Sequence, residues 1–208
     1  MGDAACNFAL DKIFNAKYDI TWSFQYSLCG VAESTGGFST FLYDSSSMQI
    51  FGGGIRSGLG VAPYIHATDS YSGVNSLIVA AGFDSTGVFS SRDNGLVTGS
   101  MSPLPNSYTV RVGGDYLAKE WNAMPFDVLQ PEEKFTAMRF NLTNLGQTLN
   151  IDYRKSNTSP YTRIASVETD LLFTNDTFCR IGVSYTSPIT GTNQAIFKIK
   201  DIHTHGVS

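Results

Sequence analysis

Short runs in which β-branched and aromatic residues alternate with small or polar ones recur along most of the chain, each cut off by Gly, Asn, Asp, Ser or Pro. A period of two places apolar side chains on one face of an extended strand, so this pattern constrains the fold more than any other feature. Strands are predicted over 19 to 28 (DITWSFQYSL), 37 to 43, 76 to 83, 107 to 112, 135 to 143, 147 to 153, 163 to 173, 179 to 186 and 195 to 205. There is no βαβ rhythm and no internal repeat, so the expected architecture is all-β, an antiparallel two-sheet jelly-roll sandwich in a single domain over 1–208. Alternation assigns Trp22, Phe24, Phe41, Val79, Phe83, Val110, Phe140, Leu149, Phe173, Ile181, Val183, Phe197 and Ile199 to the inner faces. Asn144-Leu145-Gly146 reads as a tight hairpin, and Asn175-Asp176 as another turn. Only DKIFNA (11 to 16) and PEEKF (131 to 135), with Pro131 at a first helical position, look briefly helical.

Charged residues make up 15% of the 208 and the net charge is −4, with no basic stripe or Lys/Arg cluster. That balance argues against a nucleic-acid partner. It leaves a neutral polar surface suited to packing against neighbours. Cys6, Cys29 and Cys179 stand apart, without the spacing of a disulfide framework or a structural zinc site. No apolar run reaches membrane-spanning length and the first residues lack the pattern of a secretion signal, so a soluble protein with no membrane insertion is expected. The opening Met-Gly is not read as a myristoylation start, because Cys6 stands where that motif has Ser or Thr.

The glycine-rich stretch FGGGIRSGLG (51 to 60) invites a phosphate-loop reading, which fails. Pro63 follows closely, no helical period comes after it, and neither GxxxxGK[ST] nor a well-placed GxGxxG is present. Glu168 and Asp170 lie two apart in a predicted strand and would share a face, as a glycosidase carboxylate pair does, but exposed structural residues are the expected outcome. His203 and His205 likewise alternate in IHTHG, yet two ligands do not define a metal site. Asn141, Asn157 and Asn175 match the glycosylation acceptor pattern by chance spacing.

Taken in order, GFSTFLYD, GGGIRSGLGVAP, SLIVAAGFDSTGVFS and IGVSYTSPITGTNQAIFKIKDIHTHG resemble segments of the L-type (legume-like, concanavalin A-like) lectins over most of Gly36 to Gly206. The resemblance implies a concanavalin A-like sandwich whose glycine loop crosses one end. It also implies a carbohydrate site built from Gly36, Gly53, Gly54, Gly58 and Tyr64, with Tyr43 or Tyr71 as further aromatic platforms, and at Asp84 and Asp93 either a calcium site completed by Asn94, carbonyls and water or acids that stabilise turns. The chain departs from the family at the residues that matter. Gly36 stands where the family has its sugar-binding Asp. Gly82-Phe83-Asp84-Ser85 stands where EFDT supports a metal pair, and Val88 replaces a ligand Asn.

The expected function is therefore a non-enzymatic structural or adhesion module, similar to lectin-like proteins in the virions of marine tailed phages. Its expected partners are other virion proteins or copies of itself, and residues 1–17 are expected to contact a neighbour in the assembly. The alternative is a calcium-assisted lectin that binds cell-surface glycans. A glycosidase using Glu168 and Asp170 is the third reading.

Overall fold

The computed structural model describes residues 4–30, 36–47, 58–66, 69–92, 96–156, 158–174, 176–187 and 195–207. Fourteen strands are formed among them: β1 (Ala4–Ala9), β2 (Phe14–Asn15), β3 (Ile20–Cys29), β4 (Gly37–Asp44), β5 (Tyr64–His66), β6 (Asp69–Tyr71), β7 (Leu77–Asp84), β8 (Ser107–Val112), β9 (Leu117–Ala123), β10 (Thr136–Thr143), β11 (Thr148–Arg154), β12 (Thr162–Glu168), β13 (Phe178–Ser187) and β14 (Ile196–His205). A seven-stranded sheet runs β1-β13-β4-β7-β8-β9, with β2 also paired to β13. It faces a five-stranded sheet ordered β12-β11-β10-β3-β14, while β5 and β6 form a small separate hairpin. Neighbouring strands in these sheets pair antiparallel, which makes the molecule the two-sheet sandwich expected from the alternation.

β3 shows how the sequence selects this layer. Ile20, Trp22, Phe24, Tyr26 and Leu28 are buried, whereas Thr21, Ser23 and Gln25 between them are only half-buried on the opposite face. Trp22 stacks on Phe140 within one sheet and Phe38 on Phe83 within the other, while Tyr26 meets Phe38 with ring centroids 4.4 Å apart and Phe83 meets Phe140 at 5.9 Å, joining the two sheets through aromatic contact. The Trp22 indole N–H donates to Thr40 Oγ1 at 2.9 Å, and Thr40 Oγ1 donates onward to Gly182 O at 3.1 Å, so the polar atoms buried here are paired.

Most of the inner-face residues expected from the sequence belong to this core, and Phe173, Phe197 and Ile199 pack against it while half-buried. Phe41 does not. In β4, Phe38, Thr40 and Leu42 point between the sheets, so Phe41 points out of the opposite face, where it is equally buried by a second apolar cluster. β4 is covered on both faces, and alternation cannot then say which face is inner.

Neither helical expectation holds. Phe14 and Asn15 pair with Cys179 and Phe178 in β13, with Phe14 wholly buried, and residues 131–135 form a turn with Glu133 at φ 64°. Five or six residues are too few to nucleate a helix against a competing sheet contact. The β10–β11 hairpin forms where expected, with Asn144, Leu145 and Gly146 all at positive φ. Residues 4–9 are fixed by the chain's own β13, from Ala4 opposite Ser187 to Ala9 opposite Gly182.

Candidate functional site

The outer face of the seven-stranded sheet carries a third layer. Phe41, Tyr43 and Ala80 on that face meet Leu59, Val61, Ala62, Val74, Phe89, Leu96 and Tyr116 from the covering loops. The end of the glycine-rich stretch is fastened onto the sheet by backbone acceptors. Gly58 O accepts Val61 N and Ala62 N, both at 2.9 Å, and Leu59 O accepts Ser184 Oγ at 2.7 Å and Ser39 Oγ at 3.2 Å. Gly60 O accepts Asn7 Nδ2 at 3.0 Å. Gly60 has φ 73°, and a Cβ placed there would overlap Ser184 Oγ, so both the backbone and the space demand glycine. Gly60 therefore brings backbone against a sheet face, whereas Gly58, assigned to a sugar site from the sequence, is buried and closes a local turn with Val61 and Ala62. Gly53 and Gly54, assigned to a sugar site from the sequence, lie outside the described residues, as does Asp93.

Asp84, at the end of β7, is buried. Its Oδ1 accepts Thr86 N at 2.9 Å and Thr86 Oγ1 at 2.8 Å, and its Oδ2 accepts Phe89 N at 2.8 Å, at the head of the 3-10 turn Val88–Ser90. Burial pushes its pKa above the ordinary carboxylate range, opposed by these donors. The residue two places earlier is Gly82, and a Cβ there would overlap the Phe89 ring and approach Leu59 Cδ1 to 2.9 Å. An aromatic ring thus fills the space where the resemblance places a metal-supporting Glu, and the surviving Asp is occupied in shaping a turn. These residues do not fit the metal pair of the family. Among the described residues, no group of three His, Cys, Asp or Glu side chains gathers anywhere else.

The tyrosines read as platforms from the sequence present little open ring surface. Tyr43 and Tyr64 are buried, at 1% and 5% exposure, and Tyr71, half-buried, lies 6.4 Å from Tyr64 between ring centroids. Gly36 is also buried, its carbonyl accepting Ser85 Oγ at 2.8 Å and Ser85 N at 3.2 Å.

The open surface lies just beyond these residues. Gly37, Asp84, Ser107 and Ala123 form one cross-strand row at the end of β4, β7, β8 and β9. Past this row, Ser85, Asn106, Asp127 and Leu129 line a cleft of about 300 Å³. A second cleft of about 360 Å³ shares Asp127 and Leu129 and continues along Phe126, Gln130, Lys134 and Lys155. Asn106 holds the wall in place: its Nδ2 donates to Phe126 O at 3.1 Å and its Oδ1 accepts Val128 N at 2.7 Å. Asp127, Lys134 and Lys155 are exposed. The Asp127 carboxylate makes no hydrogen bond or ion pair among the described residues and is available to a ligand. Sequence reading missed this cleft because its residues lie in a nonperiodic connection; the one available signal was the Pro-Phe-Asp run before Pro131.

The other candidates separate. β12 ends at Glu168, and Asp170 lies beyond it at φ 58°, paired with Lys119 Nζ at 2.5 Å, so the two acids do not share a strand face. His203 and His205 are exposed on β14, opposite Ser23 and Thr21. Asn141 sits inside β10, where its Oδ1 accepts Thr21 Oγ1 at 3.0 Å; Asn157 and Asn175 lie outside the described residues.

No family model matches the chain, and neither does any curated protein. Solved structures do. The VIP36 exoplasmic/lumenal domain in its Ca2+- and mannose-bound form superposes with TM-score 0.62 at 9% identity, over 100% of this chain and 75% of that one. The fold is that of the L-type lectins. The metal-free form of the same domain also gives TM-score 0.62 at 9% identity, over 100% and 77%. The lectin UEA-II complexed with galactose gives 0.62 at 12% identity, over 97% and 80%. At such identities the lectin likeness is one of fold, and the side chains of the site must be read from this chain itself.

Proposed function

We propose that the protein is a non-enzymatic carbohydrate-binding module that takes its ligand in the cleft between Ser85, Asn106, Asp127 and Leu129. The observation that carries this reading is the position of that cleft. It opens at the loop end of an L-type lectin sandwich, with an unengaged carboxylate at Asp127 beside the apolar surface of Leu129. A carboxylate accepts hydrogen bonds from sugar hydroxyls, and an apolar patch beside it suits the C–H face of a pyranose. The neighbours of this fold include forms bound to mannose and to galactose, which supports a sugar as the ligand class. The reading uses no calcium step, because Gly82 offers no ligand atom and Asp84 is engaged by Thr86 and Phe89.

A glycan array probed with the full chain, followed by titration of the best glycan against wild type and Asp127→Ala, tests it. Binding that weakens about tenfold or more in the variant is expected from loss of a charged hydrogen bond. An array without binding, or binding indifferent to Asp127, overturns the assignment.

A second reading places the module in a tailed-phage virion as a structural or adhesion component, with residues 1–17 against a neighbour. The low charged fraction, 15%, favours it, since weakly charged surfaces are easily desolvated in close assembly. Stoichiometric recovery with purified particles is the expected result, and absence from them removes this reading.

A further inference from the structure

Arg111 lies on the outer face of β8 and is fully buried, at 0% exposure. All five of its N–H donors are engaged. Nε and Nη2 donate to Phe89 O at 3.2 and 2.7 Å, Nη2 to Ser91 O at 3.0 Å, and Nη1 to Thr98 O and Tyr116 O, both at 2.9 Å. The four acceptors come from three separate stretches: the turn after β7, the segment leading toward β8, and the β8–β9 connection. Every one is a backbone carbonyl. The Phe89 ring lies beneath the guanidinium, 5.1 Å from its carbon. Carbonyl oxygens converging on one buried positive charge reproduce the environment that a hard cation receives from a loop.

The two ends of the same turn complete the arrangement. Asp84 takes the Phe89 N–H while Arg111 takes the Phe89 carbonyl, so one residue is clamped between an anion and a cation that are both part of the chain. Gly82 leaves room for the Phe89 ring to reach the sheet. Burial pushes the guanidinium pKa down to about 10, which leaves it charged at neutral pH.

We propose that Arg111 is the built-in cation of the loop cluster beside the cleft, a tethered counterpart of a bound divalent ion, and that these loops take their shape with no metal. This inference concerns loop order and does not depend on whether a glycan binds.

The test uses the full chain freed of metal by dialysis, with metal content measured, then unfolded thermally in chelator and in millimolar calcium. Hydrogen exchange is followed in parallel over residues 85–104. Wild type should show the same Tm within about 1 °C in both conditions, because a ligand that binds only the folded state would raise it. Arg111→Met should raise exchange over residues 85–104 by at least about tenfold while β3 and β10 stay protected. Arg111→Lys, which keeps the charge but has three donors in place of five, should fall between. A Tm or an exchange pattern that depends on calcium overturns the proposal, as does an Arg111→Met protein with unchanged exchange. If Arg111→Met does not fold, the wild-type calcium comparison and the Arg111→Lys exchange decide alone.

Discussion

Substituting Gly60 by alanine tests whether the end of the glycine-rich stretch is a close-approach device. Gly60 sits at φ 73°, and its missing Cβ would overlap Ser184 Oγ and stand 2.8 Å from Asn7 Oδ1. The left-handed backbone costs alanine roughly 1 kcal/mol relative to glycine. Forcing an extra carbon against β13 adds about 1–3 kcal/mol, since Ser184 is held in place by its bond to Leu59 O at 2.7 Å. Gly60→Ala should therefore cost about 2–4 kcal/mol, which for a chain of this size lowers Tm by roughly 5–15 °C. Thermal and urea unfolding followed by circular dichroism measure it. Ser184→Ala removes the hydroxyl that the new methyl would strike most closely but leaves Asn7 Oδ1 at 2.8 Å, so in that background Gly60→Ala should cost about 1–2 kcal/mol, from its backbone angle and the shift of Asn7. The reasoning is refuted if Gly60→Ala costs less than about 1 kcal/mol, or the same in both backgrounds.

Thr40→Val keeps the shape of the core but leaves the Trp22 indole N–H without its acceptor, and should lower stability by about 1–3 kcal/mol in urea unfolding; an unchanged midpoint would show that the bond contributes nothing. Cys179 is buried, and desolvation first, then the Asp44 charge, pushes its thiol up to about 12 from an ordinary value near 9. At pH 8 a thiol reagent should modify exposed Cys6 and spare Cys179 until the protein unfolds, which mass spectrometry of labelled peptides reads directly. Because the folded pKa is raised, the contribution of Cys179 is fully present below pH 9 and is lost as pH rises toward about 12, where the unfolded chain has already released the proton. Stability that rises over that window would contradict the assignment.

The sequence alone determined nine of the fourteen strands, the all-β class and most of the core, because a strand with one wet face prints its period of two on the chain, whereas β1, β2, β5, β6 and β9 were not legible in it. β3 is the clear case: five apolar residues at alternate positions, each buried against the facing sheet. The signal ended where both faces are covered. In β4 every residue but the last is buried, and only the facing sheet decides that Phe38 points inward and Phe41 outward. The order of motifs also carried the lectin likeness and the loss of a Glu at Gly82, but not the consequence of that loss. That Phe89 fills the space, that Asp84 holds the turn, and that Arg111 gathers carbonyls from three stretches are facts of tertiary structure. So is the cleft at Asp127, since Ser85, Asn106 and Asp127 meet only when β7 and β8 are paired and the connection to β10 folds back over their ends. Local periodicity records which side of a strand is dry, whereas a site is a meeting of residues distant in sequence, and their convergence is set by packing.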